Sequence, residues 1–110
     1  MATVEFTGNS KTKYSFNIYD IGTEFKSVGG IYCFTVRTED STGNATHKII
    51  YIGITDDLST RFDNHHKADC IEKNKANRIC IYQETKEARR KEIEADLIAN
   101  YKPTCNEQLK

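Results

Sequence analysis

Tyr32, Tyr51, Arg61, His65, Glu94 and Asn106 carry the chemical potential of this 110-residue chain. Tyr32 closes the tripeptide Gly30-Ile31-Tyr32, and Tyr51 opens Tyr51-Ile52-Gly53. Phenols and an imidazole move protons, a guanidinium fixes an anion and a carboxylate holds a cation, so the set suits hydrolysis of a charged substrate. Arg61 and His65 are four residues apart, which on a helix puts both on one face and aims them into one cleft. Glu94 precedes Leu97 and Ile98 by three and four residues and Tyr101 by seven, so helical periodicity places a carboxylate on an apolar stripe. A charge there needs a cation, a hydrogen-bond partner or a solvent-filled cleft. The alternative is an exposed i to i+4 pair with Arg90, worth only about 0.3–0.5 kcal/mol. The pattern alone leaves both open.

The elements that must position these groups follow from composition. Val4-Glu5-Phe6 and Tyr14-Ser15-Phe16-Asn17-Ile18-Tyr19 alternate around Gly8-Asn9-Ser10, which predicts a β-hairpin ahead of the core. Ile31 to Arg37 and Lys48 to Ile54 read as two strands joined by a turn over Glu39 to Asn44, so the tripeptides should pair antiparallel. Thr55-Asp56-Asp57 suits the start of a helix carrying Leu58 and Phe62 inward and Arg61 and His65 on a neighbouring face. The one-residue offset from His65 then turns His66 about 100° away, toward solvent or phosphate. Residues 67–77 suit a short helix or ordered loop, Arg78 to Gln83 a third strand, and Thr85 to Tyr101 a long helix. Pro103 stops that helix and leaves Thr104-Cys105-Asn106 to fold back toward the sheet.

The bulk numbers bound the answer. The length suits one compact domain, and the net charge of zero argues against a uniformly basic nucleic-acid binder. The distribution is uneven: Arg61 to Lys91 holds nine basic residues against five acidic ones, an excess able to hold a phosphate backbone or to form a mixed, solvated helix face. No secretory signal and no run of about 20 apolar residues is seen, so a cytoplasmic protein without a membrane segment is the expectation. With wide spacing and no export signal, Cys33, Cys70, Cys80 and Cys105 are expected to be reduced, Cys33 and Cys80 as small core residues. His65, His66, Cys70 and Cys80 lack the tight spacing of a zinc site.

The two tripeptides, with Arg61, His65, Glu94 and Asn106 following in order, resemble the GIY-YIG nuclease family. Ile93 to Ile98, then Lys102-Pro103 and Asn106, is similar to the family's closing motif, and the resemblance spans residues 30–106. It implies an α+β fold, a small central antiparallel β-sheet flanked by helices. On that reading residues 1–29 are an N-terminal β-hairpin extension and 30–110 the nuclease core. It also implies a divalent-metal-dependent endonuclease that hydrolyses phosphodiester bonds of DNA or structured nucleic acid, using Mg²⁺, with Mn²⁺ able to substitute. By motif position the catalytic set is Tyr32, Tyr51, Arg61, His65, Glu94 and Asn106, with Glu94 as the metal ligand. Arg61 and the metal would stabilise charge building on the phosphate. One tyrosine would act as general base once neighbouring cations lower its pKa from about 10. Tyr32, helped by His65, is the first candidate, although the sequence does not rank the pair. Asn106 is expected to orient the glutamate side of the site or to tie down the tail, and His66, Lys67, Lys73, Lys75 and Arg90 to contact substrate.

Two positions depart from the common pattern. Eighteen residues separate Tyr32 from Tyr51, a longer hairpin that costs little because closure entropy grows slowly with length. Ile54 stands where polar or basic residues are common, which removes one phosphate contact. With no DNA-reading domain attached, sequence preference is expected to be weak unless loops, a homodimer or a partner protein supply it. A catalytically silent binding module and a toxin or effector nuclease with an immunity partner are the competing readings.

Overall fold

In the computed structural model, which describes residues 2–62 and 65–107, the hydrophobic runs pair into one five-stranded antiparallel sheet. The strands are β1 (Thr3–Thr7), β2 (Lys13–Asp20), β3 (Gly30–Glu39), β4 (Ala45–Thr55) and β5 (Arg78–Gln83). Their order across the sheet is β1-β2-β5-β3-β4. Three helices complete this α+β fold: α1 (Ala68–Lys73), α2 (Glu87–Tyr101) and α3 (Thr104–Glu107). No helix among the described residues is long and apolar enough to cross a membrane.

β3 lies between β5 and β4, and its first six residues are buried because both of its faces are covered. Ile31 and Cys33 point to one face, into a core shared with Phe6, Phe16, Ile52, Cys80, Ile93 and Leu97. Tyr32 and Phe34 point to the other, with Tyr51, Leu58, Ile71 and Cys105. Strict alternation along β4 would send Ile50 and Tyr51 to opposite faces. A bulge prevents this: Phe34 lies opposite Tyr51 while Thr35 lies opposite Ile49, so Ile50 is the extra residue and joins Tyr51 and Tyr32 on one face.

The N-terminal hairpin extends the sheet, with β2 pairing to β5 over Asn17 to Asp20. It also reaches α2, where the Asp96 carboxylate accepts the backbone N–H of Ser10 at 2.8 Å and the Tyr14 hydroxyl at 2.8 Å. Strand edges presented to solvent invite pairing with other chains, and the hairpin covers the β5 edge.

α2 turns its core line one position earlier than its sequence suggests. Ile93 and Leu97 are fully buried and Arg90 is buried with them, while Glu94 lies half-buried beside that line and Tyr101 is largely exposed. Lys102 in the left-handed conformation ends the helix, its N–H bonding Ile98 O at 2.8 Å, and Pro103 follows.

Cys70 and Cys105 form a disulfide, which overturns the expectation of four reduced thiols. The two residues are 35 positions apart but meet because α1 and α3 cover the same sheet face. Cys33 and Cys80 are free and buried as expected, and burial pushes the Cys80 thiol up to about 11. Closing a loop of this length contributes about 2–4 kcal/mol by constraining the unfolded chain. Cys105→Ser should therefore lower the unfolding free energy in urea by that amount, with no effect of added dithiothreitol on the variant. An unchanged midpoint would show that the bond does not form.

Candidate active site

The antiparallel pairing of β3 with β4 sets Tyr32 directly opposite Gly53, and Tyr51, two residues from Gly53 on the same face, lies with its ring 6.0 Å from that of Tyr32. The glycines of both tripeptides answer to contacts. A Cβ on Gly53 would sit 2.5 Å from the Tyr32 hydroxyl, so only glycine lets the phenol lie across β4. A Cβ on Gly30 would sit 2.8 Å from the Tyr82 carbonyl of β5.

The segment after β4 does not form the helix expected from Thr55 onward. Residues 58–62 are a run of turns, and the first helix begins only at Ala68; Asp63 and Asn64 lie outside the described residues. Local side-chain bonds compete with the helix here: the Asp57 carboxylate accepts both the N–H and the hydroxyl of Ser59, and Thr55 Oγ1 accepts the Asp57 N–H at 3.0 Å. Leu58 is nonetheless buried as expected, and Phe62 packs at 5.0 Å from Tyr32.

The turns still bring Arg61 and His65 to the tyrosines. The Arg61 guanidinium lies 5.7 Å from the Tyr32 ring centroid, and His65 Nε2 lies 2.7 Å from the Tyr32 hydroxyl. His66 is exposed to solvent as expected, yet with no helix to rotate it away it also joins the cluster. Its ring stacks on His65 at 4.7 Å, its Nδ1 is 3.0 Å from Arg61 Nη2 and its Nε2 is 3.4 Å from the Tyr51 hydroxyl.

Asn106 closes the opposite side of the cleft. Its Nδ2 donates to Ile52 O at 2.8 Å and its Oδ1 accepts the Ile52 N–H at 2.7 Å. β4 is the outer strand of the sheet, so this amide satisfies the backbone of the second tripeptide in place of a further strand. Asn106 is a positioning residue.

A family model described as the GIY-YIG catalytic domain matches residues 28–108. The chain belongs to the GIY-YIG family. Members are generally endonucleases and typically use a divalent metal, so nuclease action on nucleic acid is the activity this domain carries. Neither the comparison with curated proteins nor that with solved structures gave a match.

Hydrogen-bond chemistry assigns the protons in this GIY-YIG cleft. The backbone N–H of Lys67 donates to His65 Nδ1 at 3.0 Å, so neutral His65 carries its proton on Nε2 and donates it to the Tyr32 oxygen. A guanidinium only donates, so His66 Nδ1 accepts from Arg61 and Nε2–H faces Tyr51. Burial, followed by the charge of Arg61, holds the His65 pKa down to about 4. His66 is lowered in the same way. Both imidazoles are thus neutral near pH 7, and His65 is a donor to Tyr32, with no free lone pair for its proton.

Both phenols are raised, chiefly by burial, where cations had been expected to lower them. Arg61 opposes the rise at each, while Glu94 adds to it at Tyr51. Each phenol also feels its neighbour, since the two rings lie 6.0 Å apart. Tyr32 is 0% exposed and Tyr51 8%.

Glu94 acts on Tyr51 through charge, and burial raises its own carboxyl above the usual range. Among the described residues it has neither an ion pair nor a hydrogen-bond partner in the protein. Arg90 does not supply one: its guanidinium is 6% exposed, packs against Gly29, and donates to the carbonyls of Glu84 and Thr85 at 3.0 Å each. That makes Arg90 a core cation holding the turn before α2, and it is not available as a substrate contact. Lys73 and Lys75 are exposed at the end of α1, and Lys67 is half-buried where that helix begins.

Sequence reasoning missed the bulge, the place of His66 within the cluster and the aromatic wall made by Phe34 and Phe62. The unbroken apolar run Ile49-Ile50-Tyr51-Ile52 was the available signal for the bulge, since strict alternation cannot bury it on one face.

Proposed function

We propose that this GIY-YIG domain hydrolyses phosphodiester bonds of DNA or another structured nucleic acid with a divalent cation held by Glu94. The observation that carries the reading is a half-buried carboxylate without a protein partner, whose charge reaches a phenol that also faces Arg61 and His66. Such a donor set fits Mg²⁺, which keeps most of its waters and uses one or two carboxylates plus substrate phosphates. When bound, the cation supplies charge neutralisation at the scissile phosphate and acidifies water.

The chain's own groups divide the remaining work. Arg61 stabilises negative charge on the phosphoryl oxygens through its fixed guanidinium. Tyr51, the more exposed phenol, acts in its ionised form: its own proton passes first to solvent, and the phenolate oxygen then takes the proton of the attacking water. Tyr32 packs beside it and is fixed by His65, whose low pKa keeps the donor neutral. His66, directed by Arg61, orients Tyr51 and faces the substrate side. Lys67, Lys73 and Lys75 contribute sequence-independent attraction for the backbone.

Purified protein should nick or cut labelled nucleic acid in Mg²⁺ and stop on addition of EDTA. The panel needs duplex, single-stranded and branched DNA together with RNA. Cleavage that persists in EDTA would refute the metal, and inactivity on every substrate would leave a binding module as the better reading.

A further inference from the structure

A cavity of about 530 Å³ opens on the same sheet face, between residues 21–25 and the segment from Leu58 to Ala76. None of the roles above uses it. Its walls are the rings of Phe25, Phe34, Phe62 and His65, two of which also border the cleft: Phe62 and His65 lie 5.0 and 5.6 Å from the Tyr32 ring. Ile21 stands at its mouth, 49% exposed, one of two large apolar side chains that the described residues leave open to solvent. Glu24 and Glu72, both exposed, complete the lining.

We infer that this cavity receives an unstacked nucleobase of the substrate strand, next to the phosphate that is cut. The inference rests on the nuclease reading for its location and on the lining for its ligand. Phe25 and Phe62, only partly buried, offer ring surface to a base over the buried Phe34 and His65, and every base can use it because every base has a π-face. Two carboxylates repel phosphate, so the backbone stays on the side of Arg61 and His66 while the base turns inward. Carboxylates accept hydrogen bonds from exocyclic amino groups, as from cytosine N4, and thymine has no such group. The occupant is therefore a base in a single-stranded, flapped or mismatched region, where unstacking is least costly. Cytosine is preferred to thymine.

Binding of labelled single-stranded oligonucleotides in EDTA tests this without cleavage, by fluorescence anisotropy. Intact strands should bind at least about tenfold more tightly than strands abasic through their centre, and oligo(dC) more tightly than oligo(dT). Ala68→Phe fills the cavity from an exposed wall position, and Ile21→Asp places a charge at its mouth. Each should remove most of the difference while the circular dichroism spectrum stays unchanged. Equal affinity for intact and abasic strands would overturn the inference, as would a difference that survives both variants, or no binding by the wild type. Cleavage in Mg²⁺ is scored separately. Cutting without dependence on the base sinks only the cavity's role, and base-dependent binding without cutting sinks only the reaction.

Discussion

Glu94→Gln is expected to abolish cleavage and, at neutral pH, to make the protein more stable. Loss of the only proposed metal ligand from the protein removes several kcal/mol of transition-state stabilisation, a fall in kcat of at least about 10³-fold. The stability effect follows from the same carboxyl. Its folded pKa is raised by burial, so the unfolded chain gives up the proton at lower pH than the folded one. Stability from the neutral form is full below the ordinary carboxylate pKa and is lost as pH rises through the folded value. Near pH 7 the wild type therefore carries an ionised, half-desolvated group without a counterion, and the neutral amide of the variant does not. Thermal melts should show the variant a few degrees higher at pH 7, with the gap closing toward pH 4. Mg²⁺ at 100 times its Kd should add about 2.7 kcal/mol to the wild type and nothing to Glu94→Gln. A site kept at some cost to the fold is the usual trade between stability and activity.

The second large effect separates the two tyrosines. Tyr51→Phe should lower kcat by about 10²- to 10⁴-fold, the worth of a positioned general base, with little change in melting temperature. Tyr32→Phe should act the other way. It strands the His65 Nε2–H in a buried setting, which costs about 1–3 kcal/mol of stability, and it retains more activity than Tyr51→Phe. Because burial raises both phenols, the wild-type rate should climb with pH through neutrality, and Tyr51→Phe should flatten that profile. If Tyr32→Phe is the inactive variant and Tyr51→Phe is nearly wild type, the roles are reversed.

Where residue type and period agreed, the sequence was a sound guide. Arg78 to Gln83 is a strand as expected because its β-branched, apolar content has no competing local bonds. The tripeptides pair because each lies in a run with a turn between them, Asp40 accepting the N–H groups of Thr42 and Asn44 to close it. The missing helix after β4 has a local cause, since Thr55 and Asp57 cap a turn as readily as a helix and only tertiary packing decides between them. The disulfide was illegible for another reason: Cys70 and Cys105 are distant in sequence, and their meeting depends on α1 and α3 sharing one face.

The candidate site was legible by type more than by geometry. Arg61, His65, Tyr32 and Tyr51 do converge, the tyrosines through the expected antiparallel pairing and Arg61 and His65 by turns instead of by helical spacing. Arg90 illustrates the limit of charge counting. A basic residue in a basic stretch is buried against Gly29 because α2 rotates Ile93 and Leu97, and with them Arg90, into the core. The same rotation leaves Glu94 without the partner that a surface helix would have given it.

A Mn²⁺-soaked crystal of the protein tests the central claim most directly. The account predicts an anomalous peak about 2.0–2.2 Å from a Glu94 carboxylate oxygen, on the side facing Tyr51 and Arg61. A metal bound elsewhere, with Glu94 left unliganded, would contradict it.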